Sequence, residues 1–333
     1  MEQNPLITPS AYHLRRAAKF GALLIVLLAI KPAYAFITDA DTRTEVVSGA
    51  ASQASISATV GGIAPPPVFA DALPNDAEFP PMTATSALVT EIGAEKPLLA
   101  YRTNARWPLA SVSKLMSAVV AIEELGPSTI LTVSKDAVAT EGEAGGLKAG
   151  DKYSVIDLVR AMLIVSSNDA AVALAEAYDR KVLGAETYSN AINHTAEFTA
   201  AMQRKARELG MPESYYGDPT GLSVISQSIV TDLETLMEYV LANDPTLLEI
   251  TRKKDVRIVE RTTMTPRILR NINEFAGQED FLGGKTGRTD EAGGNLLSLF
   301  EHEGKKYLIV VLGTEDRFGE TRALYEWVKT RAR

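Results

Sequence analysis

The stretch Trp107-Pro108-Leu109-Ala110-Ser111-Val112-Ser113-Lys114-Leu115-Met116 decides how the rest of this chain is read. Pro108 stands before a run that continues without a breaker to Leu125, and Gly126-Pro127 stops it, so the pattern predicts a helix over about 110–125. Val112, Leu115, Met116, Val119, Val120 and Ile122 make that helix apolar enough to be buried on most sides. Ser111 and Lys114, three residues apart in its first turn, share one face. Burial disfavours the ammonium form of a lysine, and a neutral amine beside a hydroxyl can act as its general base. The free N–H groups of a helix start suit a developing oxyanion. A second reading of the same residues is a capping serine followed by a lysine that snorkels to solvent. The segment alone leaves both open.

Around this helix the chain reads as a mixed α/β (α+β) domain. Residues 83–92 and 97–102 predict two strands joined by the turn Gly93-Ala94-Glu95-Lys96. Ser154-x-x-Asp157 is a capping box opening a helix over 155–165. Further helices are expected over 169–178 and over 195–209 with Gly210 as C-cap, and one capped by Thr231-x-x-Glu234 runs to about Ala242. Residues 295–301 and 306–313 form a hairpin across Glu303-Gly304, and a last helix runs from Gly319 to the end. Strands at both ends and helices between them imply an antiparallel sheet built from both chain ends, with a helical lobe inserted.

Composition removes several function classes. The 333 residues contain no cysteine, so no disulfide, thiolate metal site or cysteine nucleophile exists. A net charge of −8 argues against a nucleic-acid partner, which needs a basic face. The histidines, His13, His194 and His302, show no metal-ligand spacing, so no metal or other cofactor is expected. Residues 1–35 read as a signal peptide or signal anchor: Arg15, Arg16 and Lys19 precede the apolar run Phe20–Ile30, and Ala33-Tyr34-Ala35 offers a cleavage site. The chain is therefore expected to be exported. Residues 36–81, rich in Ala, Ser, Thr and Pro, read as a flexible linker of about 35–40 Å reach, long enough to serve a membrane tether at the N-terminus. That leaves 82–333 as the catalytic domain.

Two more short motifs follow the first. Ser166-Ser167-Asn168 lies between two helices, where its residue types would also serve as a helix cap. Tyr188-Ser189-Asn190 offers the same pattern, but Ser166 follows a buried helix able to hold it rigidly in a cleft. Lys285-Thr286-Gly287 follows Gly283-Gly284, which invites a phosphate-loop reading, yet that loop needs glycine at 279, where the chain has Glu279. A strand whose glycines let a ligand lie alongside the backbone fits better.

The order Ser-x-x-Lys, Ser-x-Asn, Lys-Thr-Gly is the motif set of penicillin-binding proteins and class A β-lactamases. Over about residues 82–330 the chain resembles the serine D-alanyl-D-alanine carboxypeptidases among the low-molecular-mass penicillin-binding proteins. Gly145-Gly146-Leu147-Lys148-Ala149-Gly150, Pro219-Thr220-Gly221-Leu222, Asn271-Ile272-Asn273 and Arg317-Phe318 resemble further landmarks of that family. The resemblance implies a β-lactamase/penicillin-binding-protein-like fold. It implies an enzyme that trims the terminal D-alanine of peptidoglycan stem peptides in the cell envelope and is acylated by β-lactams. It makes Ser111 the nucleophile, Lys114 its base and Ser166 the proton donor to the leaving D-alanine. Asn168 would hold the substrate's amide backbone, Lys285 and Thr286 its terminal carboxylate, and the N–H groups of Ser111 and Arg288, beside Gly287, the oxyanion. Asp218 departs from the asparagine usual before Pro219. A D,D-endopeptidase would use the same residues. A β-lactamase would need a deacylating glutamate, and Glu186-Thr187-Tyr188-Ser189-Asn190 comes too soon after the second motif. A catalytically silent penicillin sensor would keep the pocket without turnover.

Overall fold

The computed structural model describes residues 79–331, apart from 143 and 191. The expected export segment, 1–35, and most of the expected linker, 36–81, lie outside the described residues.

The two opening strands form as an antiparallel pair, β1 (Ser86–Glu91) and β2 (Leu99–Tyr101). The closing strands are β5 (Phe281–Thr289), β6 (Gly293–His302) and β7 (Lys305–Thr314), and β3 (Asp255–Val259) pairs with β4 (Pro266–Arg270) in a separate hairpin. The main sheet is antiparallel throughout, in the order β2-β1-β7-β6-β5. The N-terminal strand β1 thus pairs with the C-terminal β7, Ser86 opposite Leu312 and Glu91 opposite Tyr307. The β6–β7 turn places Glu303 at φ 51° and Gly304 at φ 74°, the doubly positive geometry of a tight hairpin turn whose twist matches its strands.

Both faces of the sheet are covered, which is why its strands read as nearly continuous apolar runs. Ala87, Val89, Leu296, Phe300, Ile309 and Val311 point to one core, closed by the final helix Arg317–Arg331 through Phe318, Leu324 and Trp327. Leu88, Leu297, Leu299, Leu308, Val310 and Leu312 point to the other, larger core, which belongs to the helical lobe. At the centre of that lobe lies α1 (Lys114–Leu125), whose first eight residues are all buried. Packed against it are α2 (Val155–Ile164), α3 (Asn168–Leu183) and α4 (Ala196–Leu209), followed in the chain by α5 (Val230–Asn243) and the short α6 (Pro245–Thr251).

Local signals were realised with corrections. Ser154 caps α2, its Oγ accepting from the Asp157 N–H at 3.3 Å. The Asp157 carboxylate does not complete the box. It accepts instead from Ser154 Oγ and from Arg160 and Arg261 at 2.7 and 2.9 Å, buried charge meeting charge. Gly210 ends α4 in the left-handed region at φ 76°. Thr231 is not a cap: α5 begins one residue before it, behind Ile229, whose extended backbone continues from residues paired with the segment before the nucleophile.

The residues before Ser111 are fixed by side chains that no short motif announces. Asn295, fully buried on β6, donates from Nδ2 to the carbonyls of Pro108 (2.8 Å) and Leu109 (3.0 Å) and accepts from the Gly313 N–H (2.9 Å). Trp107 donates from its indole to the Ala292 carbonyl at 2.7 Å. Replacing Asn295 by alanine would take this partner from the Pro108 carbonyl and the Gly313 N–H, and would leave the Leu109 carbonyl with only the Val112 N–H at 3.2 Å. The expected loss is about 2–4 kcal/mol in urea unfolding, and a midpoint equal to wild type would show that water replaces the amide without cost.

Candidate active site

The helix anticipated from residue 110 does not begin as an α-helix. Ala110 takes φ 47°, and Ala110–Ser113 form one 3-10 turn that runs into α1. Ser111 therefore stands in the 3-10 turn and Lys114 opens the α-helix. The reason lies in the sheet: Asn295 of β6 ties down Pro108 and Leu109, so the chain bends sharply at Ala110 to enter the lobe. In a 3-10 turn residues i and i+3 eclipse, which brings the pair closer than an α-turn would. Lys114 Nζ lies 2.7 Å from Ser111 Oγ and 2.7 Å from the Thr220 carbonyl. The lysine does not snorkel; it is 0 % exposed. Burial lowers its pKa to about 7, and Asp218 opposes that shift.

The second motif divides its labour. Ser167 is the helix cap, its Oγ accepting from the Ala170 N–H at 3.2 Å. Its two neighbours are therefore left for other contacts. Ser166 is held at φ 61°, an uncommon conformation for a residue with a side chain. Its Oγ accepts from Lys285 Nζ at 3.0 Å, so the second and third motifs meet. Asn168 donates from Nδ2 to the Glu141 carbonyl at 2.6 Å, while its Oδ1 is buried without a protein partner. In the competing match, Ser189 and Asn190 bond back to the carbonyls of Ala185 and Glu186 within one short helix.

Lys285, Thr286 and Gly287 lie buried on β5, and Arg288 next to them is exposed. Burial holds the Lys285 amine well below its ordinary range, and the cations Lys114 and Arg317 add to that effect. A Cβ on Gly287 would lie 2.9 Å from the amides of Ser111 and Val112, so the absence of a side chain lets β5 touch the nucleophile turn. Gly283 and Gly284 correct an expectation. Their bare faces are taken by protein: Thr251 and Leu248 of α6 over Gly283, and the Leu297 carbonyl of β6 against Gly284.

Arg317 was visible in the sequence only as part of a landmark. It donates from Nε to Thr286 Oγ1 at 2.6 Å and brings a third cation beside Lys114 and Lys285. No local spacing could announce it, because 31 residues separate it from its partner. Among the described residues one group could hold a cation, Asp136, Glu176 and His194, whose ligating atoms lie within 4.8 Å of one another. It belongs to none of the three motifs.

A hydroxyl paired with a buried amine, at the junction of an antiparallel sheet and a helical lobe, defines the serine peptidases and transferases of the penicillin-binding class. Within that class, residues 74–316 match the model of Peptidase S11, D-alanyl-D-alanine carboxypeptidase, and the chain belongs to that family. It is a hydrolase of the D-alanyl-D-alanine carboxypeptidase type. It is 29% identical over 280 residues to a D-alanyl-D-alanine endopeptidase of Pseudomonas aeruginosa, covering 82% of this chain and 84% of that one. It is 28% identical to the D-alanyl-D-alanine carboxypeptidase DacC of Escherichia coli, covering 75% of this chain and 62% of that one. Among solved structures it is similar to penicillin-binding protein D2 of Listeria monocytogenes in its ampicillin-bound form, with a TM-score of 0.63, 27% identity, and coverage of 75% of this chain and 98% of that one.

Proposed function

We propose that Ser111 attacks the carbonyl of the penultimate D-alanine in a peptidoglycan stem peptide. Lys114, as the neutral amine, takes the hydroxyl proton. The peptide C–N bond breaks as the Lys114 ammonium returns that proton, by way of the Ser166 hydroxyl, to the departing D-alanine, and water deprotonated by the restored amine then hydrolyses the ester on Ser111. The N–H groups of Ser111 and Arg288 receive the oxyanion, and Asn168 holds the substrate's amide backbone. Lys285, Thr286 and Arg317 receive the terminal carboxylate, whose charge would offset the repulsion between Lys285 and Arg317. A β-lactam would acylate Ser111 by the same route. The observation that carries this reading is the 2.7 Å contact between a fully buried lysine and a serine hydroxyl.

The family acts on peptidoglycan in the cell envelope. Export by residues 1–35 and a linker over 36–81 accord with that setting, as does an N-terminal membrane tether. Among the described residues no helix is long and apolar enough to cross a membrane.

The test is release of free D-alanine from a diacyl-Lys-D-Ala-D-Ala peptide by the full chain, alongside labelling by a fluorescent penicillin. Ser111→Ala should abolish both signals, a loss of about 10^4-fold or more in turnover. Persistence of D-alanine release in that variant would overturn the assignment. The similarity to D-alanyl-D-alanine endopeptidases favours a second reading, cleavage of D-alanyl cross-links. Labelling without D-alanine release, together with cleavage of cross-linked dimers, would select it. Labelling with neither activity would mark a sensor.

A further inference from the structure

The turn 218–223 reaches the nucleophile without lending it a side chain. The Asp218 carboxylate accepts four short hydrogen bonds: from the Thr220 N–H, the Thr220 hydroxyl and the Gly221 N–H at 2.6 Å each, and from the Ser223 N–H at 2.7 Å. Ser226 Oγ lies on the same carboxylate at 3.4 Å. Two of these donors matter for what they do to the far side of their peptide planes. The Thr220 N–H shares a plane with the Pro219 carbonyl, which accepts from Ser117 Oγ at 2.7 Å. The Gly221 N–H shares a plane with the Thr220 carbonyl, which accepts from Lys114 Nζ at 2.7 Å. In a trans peptide the N–H and C=O point opposite ways. One carboxylate holding both N–H ends therefore turns both carbonyls toward α1, where Lys114 and Ser117 stand three residues apart to receive them.

We propose that Asp218 is a positioning residue for acylation: through the Pro219–Thr220 and Thr220–Gly221 peptide planes it aims a carbonyl at Lys114 and so fixes the amine beside Ser111. The proposal rests on the reading of Lys114 as the base. Two charged groups face Lys114, Asp218 from this turn and Lys285 from β5, with Arg317 beyond Lys285. Burial disfavours the ammonium and the carboxylate favours it, so removing the carboxylate makes the amine easier to deprotonate.

The experiment is the pH dependence of acylation by a fluorescent penicillin, measured on the full chain and on Asp218→Asn, with melting temperatures alongside. The unmutated chain is expected to lose rate as pH falls through about 7. In Asp218→Asn that acid limb should move down by ~0.5 pH unit or more, with a lower plateau at alkaline pH. A plateau that falls while the limb stays in place would reduce Asp218 to a structural role and overturn the proposal, as would an unchanged profile. Ser117→Ala serves as a second variant should Asp218→Asn fail to fold. It frees one carbonyl and keeps the carboxylate, so limb and rate should stay within about threefold of wild type. A far larger loss there would place the hold on the turn in Ser117 instead. Absence of labelling in the unmutated chain would remove the base reading, and this inference with it.

Discussion

Lys114→Met is expected to lower the rate at which penicillin acylates Ser111 by about 10^3-fold or more, while changing stability by no more than about 1 kcal/mol, because the Thr220 carbonyl loses its donor as the buried site loses its charge. A positioned general base supplies up to about 10^4-fold, and no second amine bonds the Ser111 hydroxyl among the described residues. Methionine fills the same unbranched volume without asking a fully buried site to accommodate a charge. The pH dependence follows from the direction of the shift. The folded lysine sits at about 7 and the unfolded one at 10.5, so the unfolded chain binds the extra proton in between. Stability therefore rises with pH through that window and is lost as pH falls toward 7, and Lys114→Met should flatten the slope. Acylation follows the same amine and should decline about tenfold per unit below its pKa. Urea titrations at several pH values and stopped-flow labelling measure the two. A methionine variant that still acylates at wild-type rate would give the base role to another group.

Gly221→Ala should be among the most damaging glycine-to-alanine changes at the described residues. Its φ is +81°, and a Cβ there would lie 1.9 Å from the Ala110 carbonyl oxygen and 3.0 Å from Ser113 Cβ. The obstacle is backbone, and it belongs to the residue whose own positive φ sends the chain into the nucleophile turn. The expected cost is about 2–4 kcal/mol, with acylation lost as Ser111 is displaced. Gly210→Ala makes the control, because its φ of +76° carries the same backbone strain with nothing within 4 Å of the added carbon. It should cost about 1 kcal/mol. Equal urea midpoints for the two variants would mean that the Ala110 turn yields freely.

The three motifs, the two opening strands and the closing hairpin were legible because each depends on neighbours in the sequence: turn glycines, apolar runs, a cap followed by its helix. What was not legible depends on residues far apart in the chain. The β3–β4 hairpin escaped notice because its turn is organised by Glu260, whose carboxylate accepts from Thr262, Thr263 and the distant Lys152 N–H rather than from a glycine pair. The 3-10 entry to α1 is imposed by Asn295, some 186 residues beyond Leu109. Gly283 and Gly284 suggest space for a ligand because a sequence shows that a side chain is missing without showing what fills its place. Asp218, an unexplained departure in the sequence, is explained only when the amides converging on it are seen together.

The pairing of β1 with β7 also sets a schedule. Ser86–Glu91 finds its ladder only in residues 307–312, and the segment that holds Ser111 is clamped by Asn295, whose own oxygen is met by Gly313. A chain emerging N-terminus first therefore carries its nucleophile long before it carries the parts that arm it. Closing contacts of such wide sequence separation is slow. The nucleophile turn is therefore expected to stay unclamped during synthesis until the last strands arrive. A product truncated before residue 305 would possess every motif residue and no β7 on which to assemble them.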